Sequence, residues 1–570
     1  MKIPVLVTPE MQERFGGTGR LLALIGGAVL IVSAFLPWSY GRAALDNMTL
    51  LGSPSILQTF GLVLGVVIVA FLVLSNVIKP RPKRKRVGWI QGAKAASTGA
   101  LIYVALILIS IAAELGGLIN VVYGGWVAFL GALLAFVGTK LMPPGRRPTL
   151  HGATLAPWLE ILSIAVIMAA ALFGAAFALD NDDGGSFLSF LAFAGAVIAI
   201  LIRTGVMSFL SGVSQRHRKV LILAAFLVAF MFPFTQNGSD ANMSIATQVI
   251  IFAATAMGLN IVVGLAGLLD LGYIAFLGAG AFTAAILSRS AFSTLDFHPP
   301  FIVVVLISGA VSATLGLIIG SPTLRVSGDY LAIVTLAFGE IFRISMNNLD
   351  GVDGPLLTNG SNGIPAVPDL ELFGFNFGVK HVIFGIPLGR FSNYYFLLLV
   401  LLGLIILVFT RLNNSRIGRG WVAIREDEKA AEAMGVNVFG LKLFAFAGGA
   451  FLAGVAGSVK AHVDISVTPD QYVFLESAFL LAAIVLGGMG TVLGVLIGAT
   501  LLKLMPEKLR FVSEYRLLIF GLLLVIMMRF RPEGLVASQR RQLEFHEDDE
   551  DLAERISDEI LETGTVKGVS

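Results

Sequence analysis

Apolar runs long enough to cross a lipid bilayer recur throughout this 570-residue chain. A helical span needs about 20 mostly apolar residues, because the hydrocarbon core offers no partners to exposed backbone polar groups. Charged residues supply 14% of the chain, well below the roughly 25% of soluble domains. We therefore expect an all-α polytopic membrane protein. Cysteine is absent from the sequence, which excludes disulfides and thiolate metal sites.

Six of these runs lie in residues 1–215 and predict a six-span N-terminal membrane block. They are Leu21–Leu36, Ile56–Ile78, Thr98–Ala113, Val121–Leu141, Trp158–Leu179 and Phe187–Ile202. Basic residues follow the second, fourth and sixth runs, and basic loops stay cytoplasmic, so the N-terminus is predicted inside. The basic run Lys79–Arg86 lies beside a span, which favours topology or contact with membrane lipid over nucleic acid. No chemical motif occurs in this block, and its role stays open.

Ten further runs over residues 216–536 predict a ten-span core. They are Val220–Phe234, Ile245–Val263, Gly272–Leu287, Phe301–Gly320, Tyr330–Met346, Tyr394–Thr410, Val438–Lys460, Phe474–Leu486, Gly490–Met505 and Leu517–Met528. Loop charges agree with this count, since Arg411 and Arg419 fall inside and Asp240 and Glu507 fall outside. The stretch Asn347–Asn393, rich in Gly, Asn, Pro and Asp, is too long for a simple turn and is predicted as a loop on the outer face. The remaining residues, 537–570, are strongly acidic and predict a solvated cytoplasmic tail.

A polar segment separates the sixth and seventh runs of the core, and we expect one short cytoplasmic helix near residues 421–435. Charged side chains fall at helical spacing on one face, namely Arg425, Glu428, Lys429 and Glu432. Gly435 stands where this helix would end, because glycine readily adopts the left-handed conformation. A loop helix between spans has no lipid to face, so we expect it to dock against a partner or another loop. An ordinary amphipathic connector is the alternative.

Five sequence blocks resemble, in the same order, blocks of the branched-chain amino acid ABC transporter permeases. The first is Met257–Phe276, which reads MGLNIVVGLAGLLDLGYIAF, and the second is Tyr330–Ile341. The polar segment Gly420–Gly435, the glycine-rich Val485–Gly494 and the terminal Phe530–Leu535 complete the set. The resemblance covers about residues 220–536 and is strongest to the M-type, LivM-like, branch of that family.

The resemblance implies a core similar to that of type II ABC importers, with residues 421–435 as the coupling helix. It implies a subunit that moves a small polar solute, foremost leucine, isoleucine or valine, across the bacterial plasma (inner) membrane. The implied partners are two cytoplasmic ATP-binding subunits, a second related permease of the H-type and an extracytoplasmic solute-binding protein. Permeases of the same family for urea or short amides are the alternative. The residues expected to couple the chain to the ATP-binding subunits are Arg425, Glu426, Asp427, Glu428, Lys429, Glu432 and Gly435.

Polar side chains and one glycine within the apolar runs are candidates for the solute path, since a zwitterion needs a few polar groups in an apolar passage. They are Thr255, Asn260, Gly264, Thr335 and Glu340. Pairing of Glu340 with Arg343, three residues on, is the structural alternative for that carboxylate. Asp270 is either a buried ionisable group of the path or a plain loop residue.

Nothing in the sequence predicts catalysis or a cofactor. No phosphate-binding G-x-x-x-x-G-K-[ST] loop occurs, and the nearest approach, Gly435–Lys442, places its lysine one residue late. His381 and His462 are expected in loops, without neighbours at metal-ligand spacing. An ion-coupled secondary transporter is the less favoured alternative, since it predicts paired buried carboxylates in repeated halves. A membrane-embedded enzyme would need a catalytic cluster at one membrane face, and none is evident.

Overall fold

The computed structural model describes residues 9–40, 45, 54–77, 87–143, 145, 148, 150, 154–290, 292–293, 295, 297–324, 330–352, 354–383, 385–508, 515–530 and 534–536. The predicted acidic tail at 537–570 and the basic run Lys79–Arg86 lie outside these residues, so both stay predictions.

Nineteen α-helices dominate the described residues, which confirms the predicted all-α class. The first eight are α1 (Pro9–Ser33), α2 (Ile56–Val77), α3 (Trp89–Leu115), α4 (Tyr123–Leu141), α5 (Pro157–Asp180), α6 (Gly184–Thr204), α7 (Val206–Arg216) and α8 (Arg218–Thr235). The others are α9 (Asp240–Leu259), α10 (Ile274–Ile286), α11 (Phe301–Thr323), α12 (Tyr330–Asn348), α13 (Arg390–Asn413), α14 (Arg416–Glu426), α15 (Glu428–Ala433), α16 (Val438–Asp464), α17 (Phe474–Gly487), α18 (Val492–Lys508) and α19 (Arg516–Phe530).

Each predicted apolar run overlaps one of these helices. Within the described ranges, 13 helical stretches are long and apolar enough to cross a membrane. One of them, Asp240–Leu265, joins α9 to a π-helical segment at Asn260–Leu265. Helix α10 is apolar but has only 13 residues, which is shorter than the bilayer core requires. The protein is therefore a multi-pass membrane protein, while the division into six and ten spans stays a prediction.

The chain folds into two compact units. The first comprises Met1–Asn242, Phe384–Ile386 and Pro506–Ser513, and the second comprises Met243–Ile383, Pro387–Met505 and Glu514–Ser570. The first unit thus continues through α8, beyond the predicted boundary at residue 215, and that boundary stays a prediction.

Small residues allow the helices of the first unit to approach closely. A Cβ on Gly26 of α1 would lie 2.3 Å from the backbone nitrogen of Ala135 in α4, so only glycine fits this crossing. Buried polar groups there are satisfied locally, since the Tyr103 hydroxyl donates to the Leu57 carbonyl at 2.6 Å. The charged Glu160, at the start of α5, accepts hydrogen bonds from Arg216 and pairs with His217.

Helix α10 lies at the centre of the second unit and packs on α11 and α16. A Cβ on Gly280 would lie 2.2 Å from the Gly454 carbonyl oxygen of α16. Ser312 of α11 donates to the Phe276 carbonyl at 2.9 Å, and the Tyr273 hydroxyl donates to the Gly449 carbonyl at 2.6 Å. Glycine therefore sets how closely these helices pack, and side-chain hydroxyls cross-link their backbones.

The polar stretch predicted as an outer loop, residues 347–393, contains two short antiparallel hairpins before α13 begins. Their strands are β1 (Glu371–Leu372), β2 (Phe375–Asn376), β3 (His381–Ile383) and β4 (Ile386–Leu388). Gly374 and Gly385 take positive φ angles of 82° and 79° at the turns, a conformation that other residues rarely adopt. These strands depart from a purely helical description.

Candidate functional site

The polar segment between α13 and α16 is anchored to the membrane helices by one aromatic side chain. Trp421 of α14 is fully buried, and its Nε1 donates to the Leu441 carbonyl of α16 at 2.7 Å. Its ring stacks on Phe444 with a centroid distance of 6.0 Å. Packing and a hydrogen bond therefore fix α14 to α16.

The predicted single helix at 421–435 is wrong, since two helices meet at Asp427. This residue is extended, with φ −153°, and its carboxylate accepts from the Ala430 backbone nitrogen at 3.0 Å as the N-cap of α15. An aspartate competes with the helical backbone in this way, and helical spacing alone does not reveal the break. Gly435 follows α15 with φ +83°, as predicted from its place in the sequence.

Helix α15 and its flanks form an exposed polar surface, here called the docking segment and defined as residues 426–435. Of its side chains, only that of Ala431 is buried, and Met434 is 84% exposed. Glu428 forms an ion pair with Lys442 of α16 at 2.7 Å, which ties the segment to that helix. Glu432 and Lys429 remain open to solvent. The segment therefore presents charges around an apolar side chain, a surface suited to a protein partner.

Arg425 immediately precedes the docking segment, and its side chain extends toward Gly264. It was predicted to share the charged face of Glu428, but its guanidinium donates from Nη1 to the Gly264 carbonyl at 2.7 Å. Its methylenes cover Gly267, where a Cβ would lie 2.7 Å from Arg425 Cγ. Arg425 thus connects α14 to the end of the first long helix of the second unit.

That helix changes from α to π geometry at Asn260–Leu265. The buried Asn260 side chain accepts from the Gly490 backbone nitrogen at 2.8 Å. A Cβ on Gly264 would lie 2.0 Å from Asn260 Oδ1 and 2.7 Å from the Gly490 nitrogen, so no other residue fits. A π segment marks a place where a helix is locally irregular, frequently at a functional site. Asn260 therefore connects the π segment to the turn between α17 and α18.

The other predicted path residues lie in the second unit, where the two threonines bond to the backbone and Glu340 forms an ion pair. Thr255 is buried and donates to the Ile251 carbonyl of its own helix at 2.8 Å. Thr335 accepts from the Leu271 backbone nitrogen at 3.0 Å. Glu340 is part-exposed and pairs with Arg343 at 2.9 Å, which is the structural alternative raised above. The role of these residues in a solute path stays a prediction.

Asp270 is a buried loop residue, and its role in a solute path stays a prediction. Its carboxylate accepts from the Gly272 backbone nitrogen at 2.9 Å. Desolvation by burial raises the pKa of Asp270 to about 7.

A polar cavity of about 190 Å³ lies elsewhere in the second unit and was missed from the sequence. Its polar lining comes from five different elements or turns and consists of Gln248, Lys460, Gln471, Glu476 and Lys503. None of the five predicted path residues lines it. The available signal was the presence of Lys460 and Lys503 at the ends of apolar runs, where ionisable side chains are costly and often functional.

Neither histidine supports a metal site. His462 was expected in a loop, but it is buried in the last turn of α16, where Nδ1 lies 2.8 Å from the Pro368 carbonyl oxygen. His381 stacks on Phe375 in a hairpin. Among the described residues, no group of three potential metal ligands occurs.

Comparison with known proteins places this geometry in context. A model of the family described as branched-chain amino acid transport system, permease component, matches residues 242–528, and the second unit begins at Met243. The high-affinity branched-chain amino acid transport system permease protein LivM of Salmonella typhimurium is 39% identical over 343 residues, which is 58% of this chain and 77% of that protein.

Two further relatives extend the comparison. LivM of Escherichia coli matches with the same identity over the same shares of the two chains. The ribose import permease protein RbsC of Haemophilus influenzae is 26% identical over 323 residues, which is 55% of this chain and 91% of that protein. No solved structure matches the chain.

Proposed function

We propose, from the premise that this chain belongs to the family of branched-chain amino acid transport permeases, that it is the M-type permease subunit of an ABC importer for these amino acids. Its second unit forms a solute path through the membrane. ATP is hydrolysed by partner subunits that bind the docking segment. The chain contributes the path and the mechanical connection to those partners, and carries out no catalysis itself.

The observation that carries this proposal is the connection through Arg425. The docking segment is exposed, whereas the preceding helix is fixed by Trp421 and reaches the π segment through the Arg425–Gly264 hydrogen bond. A displacement of α15 by a partner is therefore transmitted to the end of α9 and, through Asn260, to the turn between α17 and α18. Packed helices shift between discrete arrangements rather than deforming continuously, which suits a passage that opens and closes.

The partners and orientation follow from the same arrangement. The docking segment lies on the cytoplasmic side, where two ATP-binding subunits close on nucleotide. The chain pairs with a second, related H-type permease, and an extracytoplasmic solute-binding protein delivers the solute to the opposite face. Both termini are cytoplasmic in the bacterial inner membrane, in agreement with the basic loops of the sequence.

The solute is the part of this proposal that the family alone does not define, since a ribose import permease is also a relative. We expect leucine, isoleucine and valine to stimulate ATP hydrolysis by the reconstituted complex, whereas urea, acetamide and ribose leave it at the basal rate. The measurement is ATP turnover of the purified complex in liposomes with each solute and its binding protein. Stimulation by urea or acetamide alone would identify the transported solute as an amide instead of an amino acid. Stimulation by none of these solutes would contradict the proposal.

A further inference from the structure

The polar cavity of the second unit has a mixed lining. Its polar part consists of Lys460, Glu476 and Lys503, together with the amides of Gln248 and Gln471. Its apolar part consists of Ile251, Phe252, Ile274, Leu277 and Leu480. A small-molecule site combines an apolar lining with a few convergent polar groups. The volume, about 190 Å³, lies below the roughly 300–1,000 Å³ of sites for drug-sized ligands, so only a small solute fits.

The charged side chains of the lining are paired with oppositely charged neighbours. Lys503 lies 3.2 Å from the Glu476 carboxylate, and its Nζ is 4.9 Å from the centre of the Phe252 ring. Lys460 pairs with Asp464, which also accepts from Gln248 Nε2 at 2.7 Å. These side chains are between 14% and 31% exposed, so each pair is partly desolvated. A ligand that carries both charges can exchange with these partners without leaving a buried charge unpaired.

One lining group has an unmet hydrogen bond. The Gln471 Oε1 atom is buried and has no hydrogen-bond partner among the described residues. Its Nε2 makes one long contact, 3.4 Å, with the Ser466 carbonyl. A buried acceptor without a partner costs free energy, and a rotation of this amide that brings Oε1 to the cavity surface would relieve that cost by letting it accept from a ligand donor such as an ammonium group.

We propose that this cavity binds the solute itself, as a zwitterionic amino acid with a branched aliphatic side chain. The inference rests on the proposed function and adds the binding residues. Lys460 and Lys503 receive the carboxylate, Glu476 and, after rotation of its amide, Gln471 receive the ammonium group, and Phe252 and Leu277 contact the side chain. The Lys503–Glu476 pair places a cation and a carboxylate 3.2 Å apart, which matches the adjacent opposite charges of an α-amino acid.

The same arrangement selects against the other solutes considered. Urea and ribose carry no charge, so they leave the Lys503–Glu476 pair intact and gain no charge-assisted contact from it. A simple anion or amine satisfies only one of the two charge types, so the former partner of the group that it binds is left unpaired.

The test uses the whole complex in proteoliposomes, with the binding protein saturated with leucine. We expect Glu476→Gln and Lys503→Gln each to lower leucine uptake about tenfold or more, as removal of a charged hydrogen-bond partner does. The matched control is Thr500→Ala on the same helix as Lys503, where the exposed hydroxyl bonds only its own helix. Uptake by this variant should equal that of the wild type.

The exchange variant Glu476→Lys with Lys503→Glu separates ligand binding from structure. This variant keeps an ion pair with the two charges exchanged. Restored uptake would show that the pair serves only the structure and would overturn the inference, whereas uptake that stays low supports it. Leu480→Ala provides a second measurement, because removal of this buried lining side chain enlarges the cavity and should raise the uptake ratio of phenylalanine to leucine about tenfold. An unchanged ratio would count against the site. If the wild type moves no amino acid, the proposed function fails; if it moves leucine and the variants match it, only the site fails.

Discussion

Replacing Arg425 with glutamine is expected to lower leucine uptake about tenfold or more while the assembled complex continues to hydrolyse ATP. The guanidinium is half-buried and donates to the Gly264 carbonyl at 2.7 Å, and its methylenes cover Gly267. A hydrogen bond from a charged group contributes about 1.5–3 kcal/mol, which corresponds to a factor of about ten or more in the coupling between two sites. Uptake and ATP turnover are measured on the same proteoliposomes, and their ratio reports the coupling.

Two other variants distinguish loss of the Arg425–Gly264 contact from loss of docking and from loss of a positive charge alone. Arg419→Gln removes an exposed guanidinium from the same helix, which contacts only the nearby Asn414 carbonyl at 3.4 Å, and should behave as the wild type. Glu432→Lys reverses a charge on the docking segment and should instead release the ATP-binding subunits on purification. Glu428 is a less clean target, because it pairs with Lys442 of its own chain. An Arg425→Gln variant with a wild-type ratio of uptake to ATP turnover would refute the connection.

Replacing Gly457 with alanine is expected to reduce the amount of folded protein severely. A Cβ at this position would lie 2.1 Å from the Leu277 carbonyl oxygen and 2.9 Å from the Ala281 backbone nitrogen. Both obstacles are backbone atoms of α10, so relief requires α10 and α16 to separate. Overpacking of this kind costs about 1–3 kcal/mol and occasionally more. The folded fraction is measured by size-exclusion chromatography of detergent-solubilised membranes as the temperature is raised.

Gly448→Ala on the same helix is the matched control. No heavy atom outside its own helix lies within 4 Å of the added Cβ, so this variant should elute and melt as the wild type does. Equal melting of the Gly457 and Gly448 variants would show that the close approach of α10 and α16 does not determine stability.

The helices were largely predictable from the sequence, because a membrane leaves the backbone few alternatives to a helix. The resemblance to the permease family and the left-handed Gly435 were also correct, since both depend on local residues. The break at Asp427 was missed because the residues around it keep helical spacing on both sides. The π segment was missed for a similar reason, because Asn260 and Gly264 are four residues apart, as neighbours on an ordinary helix are. Only the structure shows that the Asn260 side chain packs directly against Gly264.

The polar cavity could not be predicted by reading along the chain. Its lining residues are separated by up to 255 positions, from Gln248 to Lys503, and converge only through the packing of α9, α16, α17 and α18. Arg425 illustrates a second limit. Helical spacing placed Arg425 on the charged face. In the structure its methylenes lie against Gly267, which has no side chain to block them, and its guanidinium donates to the Gly264 carbonyl. Tertiary contacts, rather than periodicity, decide which charges face a partner.

The side and the accessibility of the docking segment can be measured with one engineered thiol. The chain contains no cysteine, so Met434→Cys introduces a unique label site at a side chain that is 84% exposed. A membrane-impermeant maleimide should label it in inside-out vesicles and not in intact cells, and co-assembled ATP-binding subunits should protect it. Val352→Cys, at an 86% exposed position of the predicted outer loop, should show the opposite sidedness. Labelling of Met434→Cys from outside, or labelling unaffected by the ATP-binding subunits, would contradict the account.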